Sequence, residues 1–227
     1  MKKIFLLILT FLITISNGQK LGIVAKYDSE LKHIHLKGGY NYDVLNIENL
    51  HYDIKPFIDS LIIDNNLINN EINDFDFSIL YDYVPEQPNK KIKEYLKNYC
   101  LSKDFNALFI IHSNNLFNSL NPLKTTYKYN FDYGILTMKG NKKQYVYYNN
   151  IDFLYYVLED NRLTYPVMKR DLRLSFPLIP KKSSETVYDE NDLTLNDSKN
   201  IKVDFLNELK KRIKANFDHI IMKISKK

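Results

Sequence analysis

The stretch FNALFIIHSNN (residues 105–115) carries an unbroken apolar run, Ala107 to Ile111, that stops at His112, Ser113, Asn114 and Asn115. A short apolar run bounded by polar residues is the pattern of a strand covered on both faces. Just before it, in NKKIKEYLKNYC (residues 89–100), Ile92, Tyr95, Leu96, Tyr99 and Cys100 fall at i, i+3, i+4, i+7 and i+8, with lysines opposite and Asn89 at the capping position. A helix feeding a doubly covered strand predicts a layered α/β or α+β fold with helices packed on a mixed sheet. The polar tip has two readings. Ligand sites gather outside the carboxyl ends of strands in such sheets, but a strand leaving the core also ends in polar loop residues.

Upstream, KLGIVAKYDSELKHIHLKGG (residues 20–39) reads as two strand arms about a turn at Asp28-Ser29-Glu30, closed by Gly38-Gly39. Alternation in the second arm puts Ile34 and Leu36 on one face and His33 and His35 on the other, a solvated one. In YDIKPFIDSLIID (residues 52–64) the period changes, and Ile54, Phe57, Ile58, Leu61 and Ile62 form a helical face capped by Asp53. NNLINNEIN is a polar loop and FDFSILYDYV (residues 75–84) a strand.

Downstream, residues 126–179 are β-rich. Tyr127, Tyr129, Phe131 and Tyr133 alternate onto one face, Gly140-Asn141 turns the chain, and Tyr145 and Tyr147 continue the face, which predicts an antiparallel meander. IDFLYYVLED fits the next strand or a short helix, and DLRLSFPLI a further strand ended by Pro177 and Pro180. Residues 181–200 are polar and without periodicity, so an exposed loop is expected. The last helix, 202–225, places Phe205, Leu209, Ile213, Phe217 and Ile220 on one stripe, widened by Leu206 and Ile224, with Lys210, Lys211, Arg212 and Lys214 away from it. The expected architecture is one domain over 19–227, a mixed sheet with a meander and about three helices. In the order of its elements alone it resembles small periplasmic α/β modules of cell-envelope assembly proteins, which implies a layered fold and no residue roles.

The first 18 residues pair Lys2-Lys3 with an apolar run from Ile4 to Ile15 and small residues at Ser16 and Gly18. This is the layout of a signal peptide cleaved before Gln19, so the expected location is outside the cytoplasm, periplasmic or secreted. The apolar run is shorter than the roughly 20 residues of a membrane-spanning helix. The lone Cys100 excludes an internal disulfide and, on an apolar stripe, reads as core. Loss of Lys2 and Lys3 lowers the formal charge from +5 to +3, so charge distribution matters more than charge. Residues 40–86 hold ten acidic side chains against Lys55, whereas 199–227 hold nine basic ones against Asp204, Glu208 and Asp218. The two segments are complementary. Lysine-rich, Asn- and Ile-rich usage matches an AT-rich genome, and with export it argues against nucleic acid as a partner.

No G-x-S-x-G, H-E-x-x-H, C-x-x-C or glycine-rich phosphate loop occurs, and no cofactor is called for. Softer candidates remain. His33 and His35 have a spacing that suits two zinc ligands, with a third needed from His51, His112 or an acidic residue. His112 beside Ser113 offers base and nucleophile, although sequence neighbours on a strand point to opposite faces. Arg170 and Arg173, with Arg162 nearby, offer forks for carboxylate or phosphate or for the acidic 40–86 segment. Tyr127, Tyr129, Tyr133, Tyr145 and Tyr147 form either a binding face for a peptide or glycan or a core face. The expected function is a non-enzymatic envelope binding or assembly-accessory module. The alternatives are a hydrolase using His112 and a membrane-surface protein held by the basic helix 202–225.

Overall fold

The computed structural model describes residues 20–37, 43–65, 67, 74–80, 83–84, 87–113, 132–174 and 176–225. The signal-like segment, Gly38-Gly39, Asn114-Asn115, Tyr127, Tyr129 and Phe131 lie outside these. Among the described residues the chain is an α+β fold of nine strands and three helices. The expected mixed sheet is divided in two. Strands β1 (Leu21–Lys26), β4 (Ala107–Ser113), β7 (Ile151–Val157) and β8 (Arg162–Thr164) lie side by side in that order. The second sheet runs β3 (Asp43–Asp53), β2 (Glu30–Lys37), β5 (Tyr133–Met138), β6 (Asn141–Asn149) and β9 (Phe176–Lys182). Each contains one parallel pair, β1 with β4 and β2 with β5.

The strand around Phe109 is as expected. It lies between β1 and β7, and its residues serve two cores, Ala107, Phe109 and Ile111 facing one and Leu108 and Ile110 the other. Helix α2 (Lys90–Lys103) covers the second face with Ile92, Leu96, Tyr99 and Cys100. Asn89 does not cap it through its side chain; its backbone is left-handed and its amide donates back to the Val84 and Gln87 carbonyls. Burial pushes the Cys100 thiol up to about 12, the condition of an inert core cysteine. Helix α1 (Lys55–Asp64) has Asp53 accepting from the Lys55 amide at 2.8 Å and buries Ile58, Leu61 and Ile62.

Helix α3 (Ser198–Ser225) begins four residues before its expected start and packs along both sheets. Phe205 meets Tyr147 of the five-stranded sheet at 4.9 Å between ring centroids, and Phe217 meets Phe109 of the four-stranded one at 5.2 Å. Leu209 and Ile213 are fully buried between these anchors, and Ile220 just beyond Phe217. The stripe that would suit a membrane surface therefore faces the protein's own sheets. No described helix is long and apolar enough to cross a membrane. The acidic and basic segments also meet: Lys202 donates to the Leu50 carbonyl, and the Lys210 ammonium lies over Tyr52 and Phe57.

Several local expectations are corrected. The two arms at 20–39 are no hairpin, since β1 pairs with β4 while β2 enters the other sheet. The segment expected as a strand at 75–84 holds a 3-10 turn, Phe77–Leu80, and its Leu80 with the preceding Phe75 packs against α2. The meander is partial: β5, β6 and β9 are antiparallel neighbours, but β7 leaves them to pair with β4. Strand β9 runs through Pro177 and Pro180, which its edge position permits. Strand β3 was not marked by alternation, because two register shifts against β2 and a left-handed His51 break its period. Between 181 and 200 most residues are at the surface, but Val187, Tyr188 and Leu195 turn inward.

The parallel β2–β5 pair depends on Gly134, where a Cβ would overlap the Lys32 carbonyl oxygen. Phe217→Ala is expected to cost roughly 3–5 kcal/mol by urea unfolding, because the helix cannot close the gap left between two sheets. Val203→Ala, at an exposed position of the same helix, should stay within about 0.5 kcal/mol.

Candidate functional site

Strand β4 ends between β1 and β7, and its last two residues diverge as the strand period requires. His112 shares the α2 side with Leu108 and Ile110, and Ser113 shares the α3 side with Phe109 and Ile111. His112 is buried, with Nδ1 3.1 Å from the Ser113 carbonyl and Nε2 without a hydrogen-bond partner. Burial lowers its pKa to about 4, against the opposing pull of that carbonyl, so the imidazole is neutral near pH 7. Directly across the ladder stand Lys26 on one side and Asp152 on the other.

On the opposite face the Ser113 hydroxyl donates to Asp132, which also accepts from the Asp28 amide, and Asp28 in turn pairs with Lys32. Asp132 is almost wholly buried. Burial raises its pKa, while the Ser113 and Asp28 bonds hold it down in part. Asn149 completes this junction between the sheets, its amide donating to the Ile151 and Leu174 carbonyls at 2.8 Å. The Ser113 hydroxyl is thus held by a carboxylate, and the His112 ring reaches the Ser113 carbonyl rather than that hydroxyl. A nucleophile and base within mutual reach are not assembled at this strand end.

His33 and His35 do share a face, but not a solvated one: both are fully buried on the α3 side. The 183–197 segment covers them: the Tyr188 ring lies tilted against His35 at 4.3 Å between centroids, and the Leu195 amide donates to Glu48 at 2.9 Å. Three of their four ring nitrogens have partners; His35 Nε2, also buried, has none among the described residues. His33 Nδ1 lies 3.0 Å from Glu48 and its Nε2 2.7 Å from the Thr137 hydroxyl, which is 2.8 Å from His35 Nδ1. One proton arrangement serves every contact: both rings protonated at Nδ1, with the Thr137 hydroxyl donating to His33 and accepting from His35. Burial would raise the Glu48 carboxyl, but the His33 bond and the Leu195 amide hold it below its usual range. Burial and the neighbouring His33 and Lys139 lower His35. Among the described residues no group of three His, Cys, Asp or Glu side chains could hold a metal ion.

The described part of the tyrosine face is core. Tyr133 and Tyr147 lie under Phe205, and Tyr145, partly buried, packs beside Tyr147. Arg170 and Arg173 are exposed at a 3-10 turn, Arg170–Leu172, that α3 pins through Arg212 to the Arg173 carbonyl and Asn216 to the Leu172 carbonyl. Neither forms an ion pair with the acidic segment among the described residues. Arg162 stands apart from them on β8, facing a cavity of about 320 Å³ between the β7–β8 edge and the end of α3. Pattern reading missed this cavity, since His219 and Lys223 come to it from a helix read only for its apolar stripe.

No protein-family model, curated protein or solved structure matches the chain.

The buried histidines make stability pH-dependent. A histidine whose folded pKa is depressed binds protons better when unfolded, so its stabilisation is complete above the unfolded value near 6.5 and is lost as pH falls toward the folded one. With His112 lowered to about 4, lowering pH from 7 to 5 is expected to remove about 2 kcal/mol through this residue alone. Urea midpoints of His112→Gln should lose that share of the pH dependence; an unchanged slope would contradict the burial argument.

Proposed function

We propose that this chain is an exported, non-enzymatic module of the cell envelope that acts by binding a protein, peptide or glycan partner. The observation that carries the reading is the divergence of His112 and Ser113, one neutral and buried on the α2 side, the other bonded to Asp132 on the α3 side. His33, His35 and Thr137 are likewise engaged with one another and with Glu48, which is the behaviour of structural polar groups. The signal-like start of the sequence supports export. With Tyr133 and Tyr147 under α3, Arg170 and Arg173 are exposed, among the described residues, and available for a partner.

Two assays separate this from its rivals. Purified protein on chromogenic esters, phosphoesters and peptide amides is expected to show no turnover that His112→Ala abolishes; such turnover would make the chain a hydrolase. Sedimentation with anionic vesicles is expected to show no salt-sensitive binding, because the apolar stripe of α3 is buried. Binding lost on replacing the lysines of α3 would favour the membrane-surface reading instead.

A further inference from the structure

The cavity at the β7–β8 edge is built from donors. The register Val157↔Arg162 and Tyr155↔Thr164 sets the Arg162 guanidinium and Thr164 hydroxyl beside Val157 and Tyr155. His219 and Lys223, one turn apart on α3, close the other side, as i, i+4 spacing requires. Neither Arg162 nor Lys223 is in an ion pair among the described residues. Asp160 is the sole carboxylate in the lining, so the wall keeps an excess of positive charge. His219 Nε2 is shielded from solvent and has no hydrogen-bond partner, while Val157 and the Tyr155 ring supply an apolar flank.

We propose that this cavity binds the oxyanion head of a small organic acid, a phosphate or a carboxylate, with a compact apolar body lying on Val157 and Tyr155. Arginine presents a planar fork that pairs with two oxygens of such a head, and lysine adds a point charge. The His219 ring borders the same cavity and so reports on what binds there. The volume lies at the lower end of ligand-pocket sizes, which limits the body to about the size of one aromatic ring. Burial and Lys223 lower the pKa of the empty site's His219, and a bound anion reverses that influence. The proposal is independent of the strand-end observation behind the binding-module reading.

The test is an NMR titration of the His219 ring in the purified protein with phenyl phosphate and, separately, benzoate. Either probe is expected to shift the ring resonances at millimolar concentration and raise the apparent pKa of His219 by about 1 unit. Arg162→Gln should weaken the effect about tenfold, the share of one charge-assisted pair. A response to phenyl phosphate alone assigns a phosphate head, and a response to benzoate alone a carboxylate head. No shift with either probe, or the same shift in the double variant Arg162→Gln, Lys223→Gln, overturns the proposal. Both substitutions are at exposed positions, so the fold is retained for the comparison.

Discussion

Burial of one face of α3 across both sheets is the interaction on which the rest depends. The chain passes repeatedly from one sheet to the other, as at Asp28-Ser29 and Asn149-Asn150, and no ladder joins the two sheets among the described residues. A helix of 28 residues, at about 1.5 Å each, is long enough to lie on both. Phe205 stacks on Tyr133 and meets Tyr147 edge-on in one sheet, and Phe217 meets Phe109 edge-on in the other, where Phe109 in turn packs edge-on against Phe153. Each such ring contributes about 1.5–3 kcal/mol on burial, so the two ends of the helix hold the sheets in one core.

Polar side chains inside that core then have to be satisfied locally. At the junction of the sheets the Ser113 hydroxyl and the Asp28 amide donate to Asp132, and Asn149 donates to the Ile151 and Leu174 carbonyls. Above β2, Glu48, His33, Thr137 and His35 do the same beneath Tyr188 and Leu195. Such networks are costly when half satisfied, and they order the segments that complete them. The inward turn of 187–195 follows from this: the Leu195 amide completes Glu48, and Tyr188 covers His35. The residues that composition marks for chemistry are the ones that hold loops and sheets in register.

The site was legible in the sequence only where local geometry decides it. Strand alternation alone says that His112 and Ser113 diverge, and they do. Alternation also says that His33 and His35 share a face, but not which face is covered, because the covering residues lie about 150 positions away. The same limit hides the cavity at β8. Arg162 stood out as one of a cluster of arginines, yet its neighbours there are His219 and Lys223, brought in by the packing of α3 rather than by any spacing.

The sequence by itself determined the elements whose periodicity is continuous: α2 with its Ile92–Cys100 stripe, the doubly covered β4, the β5–β6 hairpin at Gly140, and the apolar face of α3. Each is set by contacts within a few residues, where side-chain spacing and backbone preference act together. Only the tertiary structure decided which strands pair. The arms β1 and β2 read as a hairpin, and β6 and β7 as consecutive strands of one meander, yet each pair is split between two sheets. The physical reason is that a strand's pattern specifies a buried face but not a partner edge. Edges are chosen by the long-range burial that joins β1 to β4 and β2 to β5 across more than 80 residues of chain.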